Sequence, residues 1–241
     1  MSLDNSSTSS TPTTPLFQIS PKDDYSIKPI KEEDYNNVIR FLRKFFFRDE
    51  PLNTYVKLLD DENGTCPELE EYSVQTIKDG ISLMAVSASG QIIGVCLNGI
   101  IRRNENRENC NDDNDNDVHG NEKFLKIIRF LRYADKMSEI FEKFTDVDKV
   151  LCVKILSVDG SFRGRGIAKQ LMDRTRQIAK EEDFGLMRGD CTSYYSARAL
   201  ARLGFECVYT LKYEDYTEFG EVTFSPSPPH DAFTIYVQQI N

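Results

Sequence analysis

The stretch KVLCVKILSVDGSFRGRGIAKQLMDRTRQIAK, residues 149–180, constrains this chain more than any other. Lys149 to Val158 reads as a buried strand, being a short apolar, β-branched run. Ile167, Ala168, Leu171, Met172, Ile178 and Ala179 form one helical stripe. A strand that feeds a helix through RGRGIA leaves backbone N–H groups free at the helix start, where the helix dipole favours an anion. Gly164 and Gly166 remove the side chains that would hold a phosphate away from those amides, and Arg163 and Arg165 add charge at the rim. The alternative is a tight turn that needs its glycines for geometry alone. Two phosphate-binding patterns do not fit. G-x-x-x-x-G-K-[ST] is absent, and G-x-G-x-x-G fails because Lys169 stands at its last position.

The rest of the chain supplies a mixed α/β domain around this segment. Residues 1–24, rich in Ser, Thr, Asn and Pro, cannot bury a core and read as a disordered tail; 25–241 read as one domain. Tyr25–Ile30 is a short strand stopped near Pro29. Tyr35, Val38, Ile39, Leu42 and Phe46 mark a helix. Ile81–Ile101 reads as an antiparallel hairpin turned at Ser-Ala-Ser-Gly. Lys123–Phe144 is a long amphipathic helix, FGLMRGD a short strand, and YYSARALARLG a helix stopped by Gly204. ECVYTLKY and AFTIYV close the chain as strands. Between these lies an Asn/Asp-rich loop, 103–121. Asp113, Asp115 and Asp117 have calcium-loop spacing, but Val118 replaces the required Gly and Phe124 the closing Glu, so no metal is expected there.

A net charge of −9 argues against nucleic-acid and anionic-membrane partners. No 18-residue apolar run is present. The N-terminus lacks the basic and apolar regions of a secretion signal, and six cysteines without C-x-x-C pairing fit small hydrophobes in a reducing compartment. A cytosolic protein, and a monomer since no assembly helix stands out, are the expectations.

Arg163, Gly166 and Ala168 match the [QR]-x-x-G-x-[GA] acetyl-CoA signature of the GNAT acyltransferase superfamily. FFFRDEPLN (45–53), KILSVDGSFRGRGIA (154–168) and SYYSARALARLGF (193–205) narrow the likeness: from Tyr25 onward the chain resembles the insect arylalkylamine N-acetyltransferases, which acetylate dopamine, serotonin and related amines. The resemblance implies a central, mostly antiparallel twisted sheet flanked by helices, with acetyl-CoA as cosubstrate and no metal. It places the pyrophosphate on the backbone from Arg163 through Gly164, Arg165, Gly166 and Ile167 to Ala168. The pantetheine arm follows the strand edge at Leu156, Ser157 and Val158.

The acceptor side follows from chemistry and the same resemblance. A primary amine with a pKa of about 10.4 is under about 0.1% neutral near pH 7, a deficit of about 4–5 kcal/mol, so a proton acceptor is needed. Glu50 matches the family's proposed base. Pro51 keeps it out of helical backbone, and Phe45–Phe47 offer either desolvation or a substrate wall. Read without the resemblance, Glu50 is a surface carboxylate at a helix end. Thr192 and Ser196 share a helix face and occupy positions where the insect family carries two serines implicated in catalysis; Thr192 keeps the hydroxyl and adds a methyl. Thr192 alone also reads as an N-cap, whereas capping does not reach Ser196. Phe46, Pro51 and His230 are placed at the amine pocket, with a plain loop histidine as the alternative for His230. Other GNAT enzymes place a tyrosine where this chain has Leu200, so that proton-donor role is not carried over. The amine is expected to attack directly, since nothing supplies Cys191 with a base. Polyamine or longer acyl-CoA substrates, and a CoA-binding protein without turnover, are the rival readings.

Overall fold

The computed structural model describes residues 25–59, 64–103 and 120–240. Seven strands form one twisted sheet in the order β1-β2-β3-β4-β5-β9-β6. They are β1 (Tyr25–Pro29), β2 (Leu83–Ser87), β3 (Ile92–Arg102), β4 (Lys149–Val158), β5 (Leu186–Cys191), β6 (Glu206–Lys212) and β9 (Ala232–Gln239); β7 (Thr217–Glu218) and β8 (Glu221–Val222) make a separate small hairpin. β4 and β5 are parallel, and every other pairing in the large sheet is antiparallel. The helices are α1 (Tyr35–Phe45), α2 (Pro51–Tyr55), α3 (Pro67–Lys78), α4 (Glu122–Ser138), α5 (Ile140–Lys143), α6 (Ile167–Glu181) and α7 (Tyr194–Arg202).

Two apolar layers cover the sheet. On one face Val38, Leu42, Phe130, Leu97 and Val150 pack from α1, α4 and the strands. On the other, Ile167, Leu171 and Met172 of α6 and Leu200 of α7 meet Leu151, Val153 and Met187. At Gly189 an added Cβ would stand 2.3 Å from Leu200 Cδ1, so α7 lies against β5 only because that position is glycine.

The sheet opens between β4 and β5. Their ladder runs only from Val150–Leu186 to Val153–Gly189. Beyond it the strands part, and the β4 edge from Lys154 to Val158 carries no partner from β5. A register shift helps them separate. Leu97 faces Ile155 and Asn98 faces Val153, which leaves Lys154 as the extra residue of a bulge that bends β4.

One expectation needs revision, and two features add to the sequence reading. The helix expected over 123–144 is two helices: Glu139 takes a left-handed conformation (φ 50°), and the Ser138 hydroxyl donates to the Asp135 carbonyl at 2.6 Å. Helix α3 had no sequence assignment. The loop expected over 103–121 is anchored at both ends. Arg103 donates to the carbonyls of Phe141, Phe144, Thr145 and Val147, and Asn121 caps α4. The tail and the calcium-like Asp113–Asp117 spacing fall outside the described residues.

Candidate active site

Glu50 sits where the two parted strands converge on α1 and α2. It has extended backbone (φ −70°, ψ 126°), as its place before Pro51 requires, and caps α2 by accepting the Asn53 amide on Oε2 at 2.6 Å. Asn53, itself buried, donates from its side chain to the Phe47 carbonyl, which fixes the FFFRDEPLN turn. The Ser157 hydroxyl, from the free half of β4, donates to the Phe45 carbonyl at 3.0 Å and ties that strand to the same turn. From the β5 side, the Thr192 side chain lies beside the Glu50 carboxylate. Glu50 is therefore held between the end of β4 and the end of β5.

Part of the residue is exposed, but Oε1 is shut off from solvent and has no hydrogen-bond partner. Burial pushes the Glu50 carboxyl above the usual carboxylate range, against the opposing pull of the Asn53 and Leu52 amides and the Thr192 hydroxyl. Thr192 favours the charged form by proximity, short of a hydrogen bond to Oε1. A carboxylate with one committed and one free buried oxygen is equipped to accept a proton.

At the start of α6, Gly164 and Gly166 take φ of 79° and 80°, a conformation that glycine adopts without cost. A Cβ built on either meets no atom within 4 Å, so the space above the turn is open and a side chain would occupy it. Gly166 is the N-cap and supplies no capping side chain, so the first amides of α6 are left to an outside acceptor. Arg163 and Arg165 are exposed, Arg165 over the Phe162 ring at 4.9 Å; Ile167 points into the core and Ala168 is half-buried. This turn fits a diphosphate, and the unpaired β4 edge at Leu156, Ser157 and Val158 runs up to it. Ser157 offers its backbone only, since its hydroxyl is spent on Phe45.

The hydroxyl residues call for a correction. The N-cap of α7 is Ser193, not Thr192: Ser193 Oγ accepts the Ser196 amide at 3.0 Å. Capping also reaches Ser196, whose hydroxyl donates to the Ser193 carbonyl at 2.9 Å, with the two Oγ atoms 2.9 Å apart. Thr192 is thereby released to face Glu50, and Ser196 lies against Cys191. Burial pushes the Cys191 thiol up to about 12, which leaves no thiolate near neutral pH. His230 Nδ1 accepts the Tyr194 amide at 3.2 Å, and its ring meets Tyr195 edge-on at 5.5 Å. Burial lowers its pKa, so the imidazole is neutral and braces the α7 start. Pro51 is buried at the first position of α2, and Phe46 is half-buried with its ring 6.2 Å from that of Phe47.

Sequence reading missed Tyr213, whose hydroxyl donates to the Thr192 carbonyl at 2.7 Å. No spacing rule joins residues 21 positions apart across a strand. It also missed the Glu50–Asn53 bond, for which the signal was present: a capping side chain accepts the amide three residues on.

Among the described residues no cluster of His, Cys, Asp or Glu could hold a metal ion, no helix is long and apolar enough to cross a membrane, and Cys66, Cys96, Cys152, Cys191 and Cys207 are free thiols.

Comparison with known proteins agrees with this architecture. The acetyltransferase (GNAT) family model matches residues 44–205, more than half of the chain. Arylalkylamine N-acetyltransferase 2 from Aedes aegypti is 38% identical, with a TM-score of 0.80 over 91% of this chain and 100% of that one. The Drosophila melanogaster polyamine N-acetyltransferase that forms N-acetylagmatine superposes at 0.78 with 24% identity, over 90% and 100%. A mosquito arylalkylamine N-acetyltransferase-like protein, 5b, superposes at 0.76 with 20% identity, over 89% and 99%. These last two share the fold. With its parted parallel strands, glycine turn and matching family model, the chain belongs to the acetyltransferase (GNAT) family.

Proposed function

We propose that this protein transfers the acetyl group of acetyl-CoA to the primary amine of an arylalkylamine, with Glu50 as general base. The observation that carries the reading is the Glu50 carboxylate, with Oε1 closed off and without a partner, between the free β4 edge and the Thr192 turn. The relative named an arylalkylamine N-acetyltransferase, at 38% identity, supports the acceptor class.

Acetyl-CoA, when bound, supplies the activated acyl group. The backbone of Arg163, Gly164, Arg165, Gly166, Ile167 and Ala168 holds its diphosphate, and the Leu156–Val158 edge aligns its arm. Glu50 takes a proton from the ammonium, directly or through a water, and the neutral amine attacks the thioester carbonyl in a ternary complex. Thr192 steadies the ionised Glu50. Ser196, beside the Cys191 end of β5, gives its hydroxyl proton to the departing thiolate or anchors the sulfur; in the first case the proton that the amine nitrogen loses as the amide forms returns to Ser196 through water. Phe46 and Pro51 shield the base from water, and neutral His230 holds the α7 turn in place. The absence of a thiolate at Cys191 favours direct transfer over an acyl-enzyme.

The test is initial rates with acetyl-CoA and dopamine, tyramine, serotonin, histamine or spermidine, repeated with Glu50→Ala. Arylalkylamines should turn over best, and the variant should lose about 10²–10⁴-fold in kcat/KM, most heavily at neutral pH. A clear preference for spermidine would replace the acceptor class. Coenzyme A binding without turnover of any amine would leave a binding protein.

A further inference from the structure

Three segments far apart in sequence carry the candidate acceptor-side groups: the Glu50 cap of α2, the Thr192–Ser193 turn, and the His230–Asp231 approach to β9. Tyr213 joins them. Its backbone amide donates to the Asp231 carbonyl at 3.0 Å, and its hydroxyl donates to the Thr192 carbonyl at 2.7 Å. The ring is 2% exposed and packs on Phe130 of α4, with centroids 5.7 Å apart. A phenol has one hydrogen to give. This one goes to the turn whose hydroxyl borders the base.

Resting on the reading of Glu50 as base, we propose that Tyr213 is a positioning residue for it: the Tyr213 hydroxyl pins the Thr192 carbonyl, and so keeps the Thr192 hydroxyl beside the Glu50 carboxylate. Tyr213 is faced by Glu50, Cys191 and Asp231. Burial, followed by these acidic groups, raises its pKa, so it stays protonated and a donor wherever the base titrates. Around Glu50 the polar influences are the Asn53 and Leu52 amides and Thr192, with Tyr213 the titratable group that feels its charge. Of these, Thr192 is the one that Tyr213 holds in place. Freeing the turn withdraws a group that favours ionised Glu50. The Glu50 pKa then rises further, and the acid limb of kcat/KM moves to higher pH.

The experiment uses the full chain, acetyl-CoA and the amine that turns over best. Tyr213→Phe keeps the ring and removes only the donor. It should lower kcat/KM about tenfold at neutral pH, the scale of one lost buried hydrogen bond. The acid limb should shift upward while coenzyme A affinity, measured by calorimetry, stays within about twofold. Thr192→Val should move the limb the same way even if Tyr213→Phe folds poorly, and the double variant should add nothing to either change. An unmoved limb in Tyr213→Phe, additive effects, or loss of coenzyme A binding alongside activity would each overturn the positioning role. Glu50→Gln, run in parallel, separates the two levels. Full turnover in Glu50→Gln removes the base itself, whereas lost turnover there with an unmoved limb in Tyr213→Phe removes only the part assigned to the tyrosine.

Discussion

At Glu50 the two carboxylate oxygens have different surroundings: Oε2 takes the Asn53 amide and Oε1 takes nothing. An ionised oxygen without a partner in a sealed space costs stability, and under the proposed function that cost goes with readiness to take a proton. The sign follows from the pKa. A carboxyl raised above its unfolded value contributes stability that is fully present below the ordinary carboxylate pKa and is lost as pH rises through the folded pKa. Glu50→Gln keeps the acceptor for Asn53 and carries no charge. The variant should therefore melt at a higher temperature than the native protein at neutral pH. The gap should close as the solution is acidified below the usual glutamate range. Calorimetry across pH checks this, and an equal or lower melting temperature at neutral pH would contradict it. The extended backbone of Glu50 was legible because Pro51 fixes it, whereas its role as base rests on the likeness and on the proposal. Tyr213 was not, since its importance is a contact with Thr192 that only the folded chain creates.

Among the elements, β4, α6 and the turn between them were readable nearly to the residue, because a buried apolar run and a stripe at helical spacing leave few alternatives. The turn itself yields a prediction. Gly166→Ala forces a side chain into positive φ, at about 1 kcal/mol or a melting temperature lower by about 2–4 °C. Under the proposed function the added methyl also stands where the diphosphate would dock. KM for acetyl-CoA should rise about tenfold, the equivalent of one charged hydrogen bond, with kcat little changed. Steady-state kinetics with acetyl-CoA varied would show it. Other elements were harder. Helix α3 carries its own signals, with Pro67 at the first position, Glu68 and Glu70 behind it and Lys78 in the last turn. Its buried face mixes Leu69 and Ile77 with Ser73 and Thr76, which blurs the apolar stripe. The break at Glu139 is a local hydrogen-bond choice that hydrophobic spacing does not encode. The α7 cap was left open at Thr192 and lies one residue on, at Ser193, because both are good caps and only backbone geometry decides between them.

For the molecule as a whole, the net charge of −9 conceals a buried ionic cluster that holds α4 to the sheet. The Arg188 side chain, 3% exposed, donates to Asp190 at 2.6 and 3.2 Å and pairs with Asp135 of α4. Burial works to raise the Asp190 carboxyl, but the Arg188 and Lys154 charges outweigh it and hold the group below the usual range. A depressed carboxyl contributes stability above its unfolded pKa and loses it as pH falls through the folded one, the reverse of Glu50. Asp190→Asn leaves buried cations under-compensated and should destabilise the protein by about 3–5 kcal/mol at neutral pH, with the deficit shrinking in acid. Denaturant melts at two pH values measure both parts.

The short β4–β5 ladder has a consequence for how this protein comes apart and holds together. The sheet is two leaves sewn along a spine of four residue pairs, Val150–Leu186 to Val153–Gly189. One leaf carries the glycine turn and the other carries Thr192, with Glu50 wedged across the opening. Under the proposed function the cosubstrate fills the gutter between these leaves, so ligand and protein would share one piece of architecture.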